Sequence, residues 1–176
     1  MDVYYFYSYG TAAWMALQAL PMISSPTMII TLLSPKPEEP STLETYFSRS
    51  LGFALLTIGV LNVLLTGSVP LTSRLAEPAT TSESDPKAPY ALPTLTITAL
   101  FHAITGFYSY AMWTETGIFS FSFGVVGSGF FGAVALWCIL FASSDGRISR
   151  KTGADKRQSG FPFKNVEADK RKGKKN

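Results

Sequence analysis

The sequence predicts an all-α, polytopic membrane protein: four transmembrane helices followed by a disordered basic C-terminal tail. Three observations carry that expectation. Only 15% of the 176 residues are charged, against roughly 25% in ordinary globular chains. Charges are absent from residues 3–35, 50–73, 88–114 and 116–144, runs of 33, 24, 27 and 29 residues, each longer than the roughly 18 apolar residues that mark a membrane-spanning helix. The net charge of +3 also divides unevenly: residues 1–144 hold four basic against eight acidic side chains (−4), and 145–176 hold eleven against four (+7). Together these exclude a soluble, disordered or nucleic-acid-binding reading of the whole chain, and no nucleic-acid partner is expected. A transmembrane domain over 1–144 and a basic cytosolic tail over 145–176 follow.

The first run opens with an aromatic cluster, Tyr4, Tyr5, Phe6, Tyr7 and Tyr9, a composition typical of the membrane–water boundary. Pro21 and Pro26 interrupt it, and each removes a backbone donor and kinks a helix. A first helix over about 9–33, bent in its second half, is expected. The N-terminal residues lack the basic region and small-residue cleavage site of a secretory signal, so this segment is expected to be retained. Residues 34–46 read as a short polar loop.

The second helix is expected over about 49–71, with Ser41, Thr42 and Glu44 as start signals upstream. Residues 72–91, rich in Ser, Thr, Pro and acids, cannot bury a core and read as a flexible loop. A third helix over about 92–113 and a fourth over about 118–142 are separated only by Thr114–Gly117, so they must pair as an antiparallel hairpin. The tail lacks hydrophobic periodicity and reads as disordered, lying against anionic headgroups of the lipid bilayer.

Four crossings leave both ends on one side. Placing the tail in the cytosol puts 13 of the 15 basic residues there, counting Arg74 and Lys87, in keeping with the positive-inside asymmetry. Glu38, Glu39 and Glu115 then face the opposite side.

Small residues supply the packing signals. Ser120, Gly124, Ser128 and Gly132 recur every four positions, with Gly127 and Gly129 beside them; such a strip lets another helix backbone approach closely. It serves either packing within the chain or contact with a second protein or a second copy, the latter making a homo-oligomer. Gly52, Gly59 and Thr66 form a related strip seven apart, and Asn62 sits one turn beyond Gly59, placed to hydrogen-bond across helices. Arg49 is positioned to snorkel to headgroups or to pair with Glu44 or a partner.

His102 is the one histidine, and Thr98, Thr105, Gly106 and Ser109 share its helix face. An ionisable residue inside a membrane is a functional-site hypothesis by default. Three readings stand: a neutral, hydrogen-bonded structural group, a lipid or partner contact together with Arg49 and Thr105, or a catalytic group. No Asp, Glu or second His lies within any predicted helix to relay a proton, and metal ligation needs about three protein ligands. The chain also lacks a phosphate-binding glycine loop, HExxH, CxxC or paired intramembrane carboxylates. The single cysteine, Cys138, lies in an apolar run where a thiolate is disfavoured. No catalytic residue, cofactor or metal is therefore expected. The end, Lys172-Gly173-Lys174-Lys175-Asn176, is similar to the K-x-K-x-x signal for retrieval to the endoplasmic reticulum, with Lys172 and Lys174 as its two lysines, and such a signal is a receptor-read address.

Arg49-Ser50-Leu51-Gly52 followed by LLTIGVL, the stretch Ala99-Leu100-Phe101-His102 running on to Tyr110, and the dilysine-like end together resemble the ergosterol-biosynthesis scaffold family, four-helix proteins of the endoplasmic reticulum that tether enzymes of sterol C4-demethylation. The resemblance covers roughly residues 45–142. The chain departs from the family's pattern at Thr105-Gly106, where a Ser-Glu pair is usual, and at Asn62, where a second arginine is usual. The resemblance implies a non-enzymatic scaffold or adaptor of the endoplasmic reticulum membrane, multi-pass with both termini cytosolic, whose partners are membrane enzymes of sterol or lipid metabolism. A lipid-binding or isomerase-type four-helix enzyme built around His102, and a small transporter or channel subunit, are the rival classes.

Overall fold

The computed structural model describes residues 3–35, 39–65, 88–144 and 147–148. Helices dominate: α1 Val3–Ser24, α2 Pro26–Leu33, α3 Thr42–Leu65, α4 Ala88–Thr116 and α5 Ser120–Trp137, the last continued by a π-helical turn over Cys138–Ala142. A two-residue antiparallel pairing, β1 (Ser143–Ser144) with β2 (Arg147–Ile148), closes the described chain. Residues 147–148 fall inside the segment expected to be a structureless tail; the rest of that expectation, with Lys172 and Lys174, lies outside the described residues.

The first predicted helix is corrected. It begins at Val3 rather than about residue 9, passes through Pro21, and breaks at Ser25 into α2 with a bend of 108°. Proline disfavours the helical region for the residue before it, and Ser25 accordingly adopts φ −139°, ψ 62°. Pro26 then starts α2 at its first position, where the missing N–H costs nothing. Pro21 is tolerated because the last turn still closes, Ser25 N–H donating to the Pro21 carbonyl at 2.8 Å.

The expected loop over 34–46 is also corrected, because α3 starts at Thr42. Ser41 and Glu44 form a capping box: Glu44 N–H donates to Ser41 Oγ at 3.2 Å, and Ser41 N–H donates to Glu44 Oε2 at 2.7 Å. Two orphan donors are thus satisfied reciprocally. The end expected near residue 71 lies outside the described residues. Likewise α4 starts at Ala88, not 92, and so includes Pro93 inside the helix. It runs on to Thr116, beyond the expected end. Gly117, at φ 71°, terminates it in the left-handed conformation that glycine adopts freely, and its N–H donates to the Trp113 carbonyl at 2.9 Å.

α1 is the central helix. It packs antiparallel against α3 and also meets α5 and α4, while α4 and α5 form the expected hairpin. The buried residues of α3, Ser48, Gly52, Leu55, Gly59 and Asn62, alternate spacings of four and three, the heptad seam of closely packed helices. In α4, Ala91, Leu95, Thr98 and His102 are buried at the same alternation. Outward faces are apolar: Ile97, Ile104 and Phe107 on α4, Phe123 and Val126 on α5 and Phe119 just before it are all more than 60% exposed.

Three helical stretches, Thr42–Leu65, Tyr90–Thr116 and Ser120–Phe141, are long and apolar enough to cross a membrane, and a fourth crossing arises if α1 and α2 count as one broken span. α1 supplies groups that α3 and α4 bind.

Candidate functional site

The polar side chains of the predicted spans converge on α1. Tyr7 and Thr11 lie one turn apart and meet α4, whose Thr98 and His102 share the same spacing. Tyr7 Oη–H donates to Thr98 Oγ1 at 2.8 Å, and Thr11 Oγ1 lies 3.1 Å from His102 Nε2. Beside them on α1, the Ser8 carbonyl accepts from Asn62 Nδ2–H of α3 at 2.8 Å. Each group would be costly to bury alone, and the pairing of equal spacings gives each side chain at least one partner along the seam, leaving Asn62 Oδ1 and His102 Nδ1 without one.

His102 is fully buried. Its ring stacks on Phe131 of α5 at 5.4 Å with an interplanar angle of 27°, and Tyr7 approaches it edge-on at 6.1 Å. His102 Nδ1 has no hydrogen-bond partner. The tautomer that carries its proton on Nε2 and donates to Thr11 leaves only an acceptor unpaired, the less costly arrangement. Among the described residues no group of three or more His, Cys, Asp or Glu side chains is placed to hold a metal.

The α5 strip faces α4. Its Gly124 lies against Ser109, Ser128 against Gly106 and Gly132 against the His102 Cβ, while Thr105 and Ser128 hydroxyls meet at 3.2 Å. Ser120 lies in the first turn of α5, half-buried. A Cβ at Gly129 would point into open space. On α3, Gly52 makes the closest approach: an added Cβ would stand 3.0 Å from the Ala19 carbonyl oxygen and 2.8 Å from Ile23 Cγ1. At Gly59 the same atom would stand 3.5 Å from the Ala12 carbonyl oxygen. Arg49 is exposed, and Glu44 binds Ser41 instead of it. Thr66 lies outside the described residues.

Sequence reasoning missed two features. Tyr4 and Tyr7, expected at a membrane boundary, are buried at the 1% level and belong to the core with Ala135 and Cys138. α1 and α5 also interlock: the Phe131 ring covers Gly10, and the Trp14 ring covers Gly127. The available signal was the spacing of Tyr4, Tyr7, Ser8, Thr11, Met15 and Ala19, one stripe of a helix.

The class so defined is an all-helical chain with three helices, or four, long and apolar enough to cross a membrane, tied together by a buried polar seam on α1. The chain belongs to the family described as a domain of unknown function, DUF8792, which matches residues 7–176. No curated protein and no solved structure matches it.

Proposed function

We propose that this is a multi-pass protein of the endoplasmic reticulum membrane, with both termini cytosolic, that works as a non-enzymatic scaffold holding membrane enzymes of sterol or lipid metabolism. One observation carries the reading: the apolar surface is on the outside. Only 17% of the most apolar stretch of Ser120–Phe141 is buried within the chain, and Phe107 and Phe123 point away from it at 75% and 65% exposure. In water such faces would be untenable; in a bilayer they are what neighbouring proteins and lipids meet. The interior groups are largely occupied with one another, which suits a rigid body that offers its flanks.

The asymmetry of basic residues supports the orientation. The lysine-rich end supports the organelle, and the resemblance in Arg49–Gly52 and Ala99–His102 supports the client class. Purification of the full chain in mild detergent is expected to recover membrane enzymes of lipid metabolism, and their absence contradicts the scaffold. The unpaired Nδ1 of His102 favours a lipid-converting enzyme as second reading. His102→Ala separates the two: a scaffold keeps its partners and shows no lost conversion, whereas an enzyme loses conversion with partners retained.

A further inference from the structure

The bend at Ser25 sets α2 at the end of α1, and its level in the molecule is fixed by α3. Ser48 Oγ–H donates to the Met22 carbonyl at 3.3 Å, and Gly52 lies against Ala19, Met22 and Ile23. Arg49 is therefore level with the end of α1. Over its 22 residues α1 is about 33 Å long at ~1.5 Å per residue, enough for the ~30 Å hydrocarbon layer. On the four-crossing reading proposed above, the chain crosses by the time it reaches Ser24.

α2 then turns by 108°. With α1 along the membrane normal, that is 108 − 90 = 18° past the membrane plane, tilted back toward the hydrocarbon. Eight residues span only about 12 Å, far too short to cross again. α2 carries no charge, and its Met28, Leu32 and Leu33 are exposed at 49%, 50% and 39%. Beside it, α3 projects beyond the end of α1 by its first six residues, about 9 Å, close to the thickness of one headgroup layer. Leu43, Tyr46 and Phe47 on this projection are 62%, 65% and 59% exposed, and the capping carboxylate Glu44 marks its water end.

We propose that α2 and the first two turns of α3 form an interfacial platform embedded in the phospholipid headgroup layer, with α2 lying nearly in the plane of the membrane. This rests on the membrane reading above. The exposed leucines and methionine of α2 meet the upper acyl chains, the Tyr46 and Phe47 rings sit at headgroup level as interfacial aromatics do, and Arg49 reaches the phosphates. Burial of the apolar side chains of α2 supplies the attraction, as it does for other in-plane helices, although α2 lacks their charged face.

Full-length chain is reconstituted in phosphatidylcholine vesicles with an environment-sensitive fluorophore on Leu32→Cys, Leu43→Cys or Val126→Cys; the buried Cys138 is the unlabelled background. Quenchers are aqueous iodide and lipids carrying a nitroxide either near the headgroup or near the chain end. Probes at 32 and 43 are expected to lose most emission to the shallow nitroxide, and the probe at 126 to the deep one. Iodide quenching at 32 and 43, deep quenching at 32, or protection from every quencher overturns the platform, by placing α2 in water, across the bilayer or under protein. Iodide quenching at 126 instead overturns the membrane reading itself, so the two failures are distinct.

Discussion

Gly52 and Gly59 lie seven residues apart on the same seam of α3, yet replacing each by alanine is expected to act in opposite directions. At Gly52 the new methyl stands 2.8 Å from Ile23 Cγ1, 3.0 Å from the Ala19 carbonyl oxygen and 3.2 Å from Met22 Cβ. The carbonyl is backbone, so α1 and α3 must separate. Overpacking of this kind costs about 1–3 kcal/mol, offset by about 1 kcal/mol from alanine's better helix propensity, leaving Gly52→Ala roughly 0–2 kcal/mol less stable. At Gly59 the nearest atoms are at 3.5, 3.5 and 3.7 Å, ordinary contact distances. Gly59→Ala keeps the propensity gain and is expected to be about 0.5–1 kcal/mol more stable. The pair is compared by unfolding in mixed micelles with increasing dodecyl sulfate, followed by circular dichroism. Midpoints shifted equally, or a larger loss at position 59, would refute the reasoning that α3 docks on α1 through Gly52.

Other consequences follow from single contacts. Asn62→Ala removes the hydrogen bond to the Ser8 carbonyl and is expected to cost about 0.6 kcal/mol, below ~2 kcal/mol, in the same unfolding titration; a larger loss would mean that Asn62 does more than bridge α1 and α3. Gly117→Ala puts a Cβ on a residue at φ 71° and is expected to cost about 1–2 kcal/mol, whereas Gly117→Asn, better suited to that conformation, costs less. Equal losses would show that the α4–α5 turn tolerates any side chain. Replacing Lys172 and Lys174 by serine is expected to move the protein from the endoplasmic reticulum to later compartments in fluorescence microscopy, and an unchanged location contradicts retrieval by this signal.

Where the sequence was legible, it was because charge and membrane thickness are coarse constraints. Ser120–Phe141 falls almost where the charge-free run placed the fourth helix. The small residues Gly52, Gly59, Gly124 and Gly132 lie against neighbouring helices because a missing side chain on a membrane helix has few other uses. Helix ends were less legible. The second helix was expected from about Arg49 with Ser41, Thr42 and Glu44 as start signals upstream; a helix can begin outside the hydrocarbon, and the Ser41–Glu44 box sets the start itself. The first helix was mistaken for a kinked rod because Pro26 can either kink a helix or begin a new one, and only packing against α3 decides. His102 was conspicuous in sequence, but its partner Thr11 was not: it is a lone threonine after the aromatic cluster, and only the parallel alignment of α1 and α4 pairs Tyr7 with Thr98 and Thr11 with His102.

The central claim is that the outward faces of α4 and α5 hold other proteins while the seam on α1 only holds the chain together. Photo-crosslinking in native membranes addresses it directly, with a photoreactive residue at Phe107 or Phe123 on the outside and at fully buried Met15 on the inside. The account predicts covalent adducts with membrane enzymes of lipid metabolism from positions 107 and 123 and none from position 15. Adducts with lipid alone from both outer positions would contradict it.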